Sequence, residues 1–295
     1  MGFANLVGSS ISNSPITRNP HEFYATLHSF NHKINTHFLN LKFRTTVHGV
    51  ASKVPRCCKS TEMIDFDERT SANEVRLEIE GCYKLIHRLG RGVIYIGSAR
   101  PAPDHPHYTQ ALDLSREIAK LLNCTTWTGA GPGLMDAAIK GALQAGKHVG
   151  GFKIEKEAGQ WTSSGSHSYL PSDTYLTCRF FSARKHGFVD AAVRNNPSDR
   201  TAVIALPGGI GTLDEIFEIL ALIQLQRIGS QLPVPFLVMN YDGYYSKLLE
   251  FLQDCERWGT IAKGELDPLW KVCDTNQDAL THLARFYNLP FSNDT

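Results

Sequence analysis

Short runs of apolar and β-branched residues alternate with longer segments of helical periodicity through most of this chain, and this alternation constrains the fold most strongly. Such short runs, bounded by turns, are typical of strands buried on both faces of a sheet. Strands are predicted at 93–96, 125–128, 149–154, 202–206 and 236–239, and helices at 75–89, 108–122, 134–145, 213–228 and 244–255, with another through 188–193. The pattern predicts an α/β fold, a doubly wound (Rossmann-like) parallel sheet with helices on both faces. Ligands of such sheets bind beyond the carboxyl ends of the strands.

The first 61 residues differ sharply in composition from the rest of the chain. Glu22 is their only acidic residue, whereas Glu62, Asp65, Asp67 and Glu68 follow within a few positions. An acid-poor segment rich in basic and hydroxyl residues resembles an organellar transit peptide, and a disordered tail without an address is the alternative. We therefore expect residues 1–61 to be a transit peptide or a disordered leader and residues 62–295 to be a single α/β domain. The expected location is the chloroplast, with the mitochondrion or the cytosol as alternatives.

The overall charge balance argues against highly charged partners. The 295 residues carry a net charge of +1 and have a sequence pI near 7.7, so no global basic field favours nucleic acid or a membrane surface. No apolar run approaches the roughly 20 residues that span a bilayer. No cluster of His, Cys, Asp and Glu has metal-ligand spacing. We expect no nucleic-acid or membrane partner, no metal and no cofactor.

Three glycine-bearing turns follow three of the predicted strands, at 97–100, 129–135 and 207–212. Glycines allow a ligand to approach the backbone closely, and the exposed N–H groups and the dipole of a following helix favour an anion. The third turn, P-G-G-I-G-T, is the most specific. Thr212 is expected to cap the helix that begins at 213, and Glu215 would complete a capping box three residues later.

The third turn also resembles a known family signature. The sequence P-G-G-I-G-T-L-D-E at 207–215 is similar to the P-G-G-x-G-T-x-x-E signature of the LONELY GUY family, which comprises cytokinin riboside 5′-monophosphate phosphoribohydrolases and is often labelled as lysine decarboxylase. The resemblance extends from about residue 92 to 252. It includes Gly97-Ser98, the loop 129–135, Arg184-Lys185 and the D-G-Y-Y sequence at 242–245. The chain departs from the family at Ala130, where a third consecutive glycine is usual, and at 159–177.

The resemblance implies hydrolysis of the N-glycosidic bond of a cytokinin-type or other purine riboside 5′-monophosphate, giving free base and ribose 5-phosphate. Because that reaction passes through an oxocarbenium-like sugar, a carboxylate near the anomeric carbon stabilises the developing charge. The resemblance assigns the catalytic roles to Arg184 and Glu215. The substrate-binding residues that it implies are Ser98, Gly131, Met135, Lys185, Gly208, Gly209, Gly211 and Thr212.

Several alternatives stay open at this stage. Glu215 could serve only as a helix cap, and the same fold could be a nucleotide-binding or sensor protein without turnover. A dinucleotide-dependent oxidoreductase is disfavoured because the turn at 207–212 occupies the other half of the sheet. No segment resembles the Schiff-base lysine site of a pyridoxal-phosphate decarboxylase. The identity of the base is not determined.

The predicted helix at 213–228 is apolar on nearly every face. Such a helix lies either deep in a core or at a subunit interface. Because the family commonly pairs its subunits through this region, the resemblance implies a homodimer.

Overall fold

The computed structural model describes residues 71–157, 160–161 and 167–290, and the side chains of residues 156, 157, 160 and 161 are outside the description. The leader predicted for 1–61 lies outside the described residues. The helices in the described part are α1 (Ala72–Leu89), α2 (Pro106–Leu122), α3 (Leu134–Gln144), α4 (Phe181–Ala192), α5 (Ile210–Gln224), α6 (Ser246–Trp258) and α7 (Asn276–Phe286). The strands are β1 (Gly92–Ile96), β2 (Thr125–Thr128), β3 (Val149–Ile154), β4 (Lys156–Glu157), β5 (Gln160–Trp161), β6 (Tyr175–Cys178), β7 (Ala202–Ala205), β8 (Phe236–Met239) and β9 (Lys271–Cys273).

Seven strands form one parallel sheet in the order β6-β3-β2-β1-β7-β8-β9, and β4 pairs with β5 in a separate antiparallel hairpin. The chain builds outward from β1 through β2 and β3 to β6, and then returns to the other side of β1 to build β7, β8 and β9. The strand order therefore reverses between β1 and β7, where Ile96 pairs with Ala205. The predicted doubly wound fold is confirmed, and its reversal point is where such sheets bind ligands.

Side chains alternate between two separate cores along the central strands. In β1, Ile94 and Ile96 pack with α1, α4, α5 and α6, whereas Val93 and Tyr95 pack with α2, α3 and α7. Both sets are almost completely buried. Since successive strand residues face opposite sides of a sheet, β1 carries apolar side chains towards both cores.

Helix α5 begins earlier than the sequence pattern predicted. It starts at Ile210 directly after Gly209 and ends at Gln224, and no side chain caps its N-terminus. Thr212 is therefore the third residue of the helix and Glu215 the sixth. The predicted capping box between Thr212 and Glu215 is wrong, because both side chains lie inside the helix rather than at its first N–H groups.

The described helices include none that is long and apolar enough to cross a membrane.

Candidate active site

A cavity of about 610 Å³ opens at the carboxyl edge of the sheet, around the reversal point between β1 and β7. Its size is within the range of small-molecule sites. The turns after β1 and β7, the end of β3 and the first turns of α4 and α5 form its walls. The lining residues are Gly97, Ser98, Ala99, Arg100, Ile154, Phe181, Arg184, Gly209, Ile210, Gly211, Thr212, Glu215 and Tyr244.

Backbone hydrogen bonds join the three glycine turns into one unit. The Ser98 N–H donates to the Pro207 carbonyl at 3.0 Å, and the Ser98 carbonyl accepts from the Leu134 N–H at 2.9 Å. Ser98 is thus the link between the turn after β7 and the N-terminus of α3. These contacts fix the relative positions of turns that are far apart in the sequence.

Two consecutive tyrosines support the backbone of the turn after β7. The Tyr244 hydroxyl donates to the Gly208 carbonyl at 2.9 Å, and the Tyr245 hydroxyl donates to the Leu206 carbonyl at 2.7 Å. The Tyr245 N–H in turn donates to the Asn240 side chain at 2.8 Å. The D-G-Y-Y segment therefore supports the backbone of the third turn, and Tyr244 also reaches the cavity wall.

The third turn presents backbone to the cavity. A Cβ added at Gly209 or at Gly211 would meet no atom within 4 Å, so both positions face open space. At Gly208 a Cβ would lie 2.2 Å from the Thr212 hydroxyl oxygen, so this glycine is needed for the Thr212 side chain to pack against the turn. Because no side chain caps α5, its first N–H groups and its dipole are available to an anion in the cavity.

The two predicted catalytic side chains meet at the base of the cavity. An Arg184 guanidinium nitrogen lies 3.3 Å from a Glu215 carboxylate oxygen, and each side chain is only 5% exposed. The guanidinium packs over the rings of Phe181 and Phe188, with its central carbon 5.6 and 5.3 Å from the ring centres. A Cβ at Gly129 would lie 2.4 Å from the guanidinium, so Arg184 rests directly on the backbone of the second glycine turn. These contacts hold Arg184 in one orientation.

Met135 and Lys185 lie near the site but do not line this cavity. Met135 is buried, and its sulfur packs against Gly129 beside Arg184. The Lys185 ammonium pairs with Asp214 at 3.0 Å and with Glu218 at 2.9 Å, which links α4 to α5. Burial disfavours the charged amine, but the hydrogen bonds to Glu218 and Asp214 outweigh it and raise the pKa of Lys185. Lys185 therefore helps to hold α4 and α5 in position relative to each other.

Gly131 lies in a neighbouring cavity on the outer side of the second turn. The preceding residue, Ala130, adopts a left-handed conformation with φ of 48°. This conformation disfavours any side chain, which explains why a glycine is usual at this position.

Arg100, Ile154 and Tyr244 line the cavity and were missed among the sequence-predicted site residues. Arg100 is exposed and makes no ion pair with any described residue. A basic residue three positions after a strand-end glycine is the signal that could have identified it. With Arg184 paired to Glu215, Arg100 supplies the cavity with a further positive charge.

Within the described part of the chain, no group of three or more His, Cys, Asp or Glu side chains is placed to hold a metal ion.

Comparisons with known proteins find one family model, several sequence relatives and several solved structures. A family model described as "Possible lysine decarboxylase" matches residues 135–283. A "Probable cytokinin riboside 5′-monophosphate phosphoribohydrolase" of Oryza sativa subsp. japonica is 28% identical over 191 residues, covering 64% of this chain and 69% of the relative. A cytokinin riboside 5′-monophosphate phosphoribohydrolase of Arabidopsis thaliana is 39% identical over 187 residues, covering 63% and 76%. The solved molybdenum cofactor carrier protein of Chlamydomonas reinhardtii is 18% identical with a TM-score of 0.43, covering 67% of this chain and 99% of that one.

Proposed function

Because the chain belongs to the LONELY GUY family of lysine decarboxylase-like proteins, we propose that it hydrolyses the N-glycosidic bond of a purine riboside 5′-monophosphate. The products are the free base, of cytokinin type or another purine, and ribose 5-phosphate. One observation carries the proposal: the buried Arg184–Glu215 pair and the uncapped N-terminus of α5 face the same cavity.

The turn after β7 would hold the 5′-phosphate. Gly209 and Gly211 leave the backbone accessible, and the first N–H groups of α5 favour a dianion. Arg100 adds an exposed cation to the cavity lining, where it would neutralise the remaining phosphate charge. The remote phosphate then supplies binding energy that can be used at the reacting bond.

Glu215 would act at the anomeric carbon. As the bond to the base breaks, positive charge develops on the ribose ring, and a preorganised carboxylate stabilises that charge. The same carboxylate can orient the water whose oxygen forms the new bond to C1′, while the base leaves with the bonding electrons and takes up a proton. Arg184 pairs with Glu215 and orients the carboxylate.

Decarboxylation of lysine has no support in the cavity. A pyridoxal-phosphate enzyme needs a lysine that forms a Schiff base with the cofactor. The described residues that line the cavity include no lysine, and Lys185 is paired with Asp214 and Glu218.

The proposal is tested by incubating the full-length chain with purine nucleoside 5′-monophosphates, including N⁶-prenylated adenosine monophosphate, and measuring free base by chromatography. We expect base release from at least one monophosphate and far slower release from the matching nucleoside. Tight nucleotide binding without base release would overturn the proposal in favour of a sensor protein. Equal rates for nucleotide and nucleoside would refute the role given to the phosphate.

We further propose that two copies pair through α5. Phe217 on this helix and Leu225 directly after its last residue are 39% and 65% exposed, although both are large and apolar. Exposed apolar residues on one helix are typical of a subunit interface. Sedimentation of the wild type should give the mass of a dimer and Phe217→Glu that of a monomer, whereas a monomeric wild type would contradict the proposal.

For the segment 1–61 we propose a plastid transit peptide, supported by its acid-poor composition. Fused to a fluorescent protein, the segment should direct fluorescence to plastids. Uniform cytosolic fluorescence would contradict this address.

A further inference from the structure

A second cavity, of about 470 Å³, lies on the outer side of the glycine turn that follows β2. Gly131 and Pro132 of that turn form one wall, and Lys153, Lys140 and His167 contribute to the others. The cavity shares no lining residue with the candidate active site. It is also large enough for a small metabolite.

Lys153 is the unusual feature of this cavity. It lies inside β3, is only 6% exposed, and its ammonium has no ion pair or hydrogen bond with the described residues. The next residue, Ile154, lines the active-site cavity, so Lys153 faces the opposite side of the sheet. A buried cation without a partner carries a large desolvation cost, and proteins rarely retain one without a compensating anion.

The one described carboxylate in the cavity wall is already satisfied. Asp136 accepts hydrogen bonds from the Tyr108 and Tyr169 hydroxyls and pairs with the Lys140 ammonium at 2.8 Å. Burial of Asp136 favours its neutral form, but these hydrogen bonds outweigh it and lower its pKa. Asp136 and Lys140 therefore neutralise each other, and Lys153 leaves an excess positive charge.

His167 provides a further donor at the rim. Its Nδ1 accepts from the Leu170 N–H at 3.2 Å, so in the neutral ring the proton is on Nε2. Burial lowers the pKa of His167 below its ordinary value, and the nearby Lys153 ammonium lowers it further. The Asp136 carboxylate acts in the other direction but does not outweigh them. The neutral ring thus offers an N–H donor beside the buried cation.

We propose that this second cavity is a separate binding site for a small phosphate monoester, with Lys153 as the residue that pairs with the phosphate. A dianionic phosphate supplies the charge that Lys153 lacks and accepts hydrogen bonds from several donors at once. The site is independent of the hydrolysis proposed above, because none of its residues belongs to the active-site cavity.

The test uses inorganic phosphate as the probe and Gly209→Val as the background, so that the turn before α5 is blocked by a side chain. Phosphate titrations followed by calorimetry, at constant ionic strength with chloride, should show one remaining site. Adding Lys153→Met should weaken that site at least tenfold, since methionine keeps an apolar stem of similar length and removes the charge. Lys120→Met, an exposed lysine on α2, serves as the matched control and should leave the affinity unchanged.

Thermal unfolding separates binding from a structural role for Lys153. In phosphate-free buffer Lys153→Met should raise the melting temperature, because it removes an unpaired buried charge. In saturating phosphate the Gly209→Val background should gain stability that the same background carrying Lys153→Met does not gain. Unchanged phosphate affinity in Lys153→Met, no phosphate binding in the Gly209→Val background, or a lower melting temperature without phosphate would each overturn the proposal. None of these assays measures base release. A failure of the phosphate-site proposal can therefore be distinguished from a failure of the hydrolysis proposal.

Discussion

Replacing Glu215 by glutamine removes one negative charge and almost no volume. The side chain is 5% exposed and lies 3.3 Å from Arg184, so the change weakens a buried, charge-assisted contact rather than a surface pair. Removing one partner of a buried ion pair costs about 3–5 kcal/mol, and glutamine loses only part of this because it keeps the shape and one acceptor oxygen. We therefore expect a loss of about 2 kcal/mol in the free energy of unfolding, which corresponds to a fall of roughly 4–8 °C in melting temperature for a domain of this size.

Turnover should fall much further than stability. Removing one well-placed electrostatic group from an active site typically costs about 10²–10³ in kcat, or roughly 3–4 kcal/mol. The Glu215 carboxylate faces the same cavity as the turn after β7, but it is not one of the groups proposed to contact the phosphate. Nucleotide affinity measured by calorimetry should therefore stay within a few-fold of wild type while base release is almost lost.

The neighbouring acid Asp214 provides the matched control. It lies on the same helix, is 46% exposed and pairs with Lys185, so Asp214→Asn removes the same charge from a solvated position. Exposed pairs contribute about 0–1 kcal/mol, and we expect little change in melting and near-native turnover. If Glu215→Gln releases base within a few-fold of wild type, or if Asp214→Asn impairs turnover equally, the assignment of the carboxylate to catalysis is wrong.

Three glycine-turn substitutions extend the test. Gly209→Val should abolish nucleotide binding in calorimetry with little change in melting, because its side chain meets only open cavity; retained affinity would exclude this turn from the phosphate site. Gly129→Ala should displace the Arg184 guanidinium and lower kcat by at least tenfold, and unchanged kcat would show that this contact is dispensable. Ala130→Gly should raise the free energy of unfolding by about 0.5–1 kcal/mol in denaturant titrations by relieving the left-handed conformation, and a decrease would contradict that strain.

The interior of the sheet could be predicted from sequence, whereas its edges could not. Strands β2 and β8 have the predicted bounds because they are buried on both faces and carry only apolar or β-branched residues, and β3 has them although it includes Gly150, Gly151 and Lys153. The outermost strands β6 and β9 were missed because each pairs with one neighbour and includes exposed residues. A partly solvated strand of three or four residues has no distinctive periodicity.

The glycine turns were predictable because close backbone approach excludes side chains. The start of α5 could not be predicted, because the prediction relied on a side-chain cap. The N-terminus of α5 faces the cavity and has no such cap. By contrast, α7 begins with a complete capping box at Thr275. The contact between Gly129 and Arg184 joins segments far apart in the chain, so no local pattern indicates it.

The pairing of β1 with β7 also determines when the site can exist during synthesis. Ile96 and Ala205 are adjacent in the sheet but separated by about 110 residues of chain, and non-local pairings of this kind form slowly. A nascent chain can assemble β1, β2 and β3 while translation continues, at about 5–20 residues per second. The turn before α5 and the tyrosines that support it have not yet emerged at that point. Partly synthesised chains therefore contain the hydrogen bond between Ser98 and Leu134 but lack its counterpart at Pro207, so the complete cavity forms only after the second half of the sheet has docked.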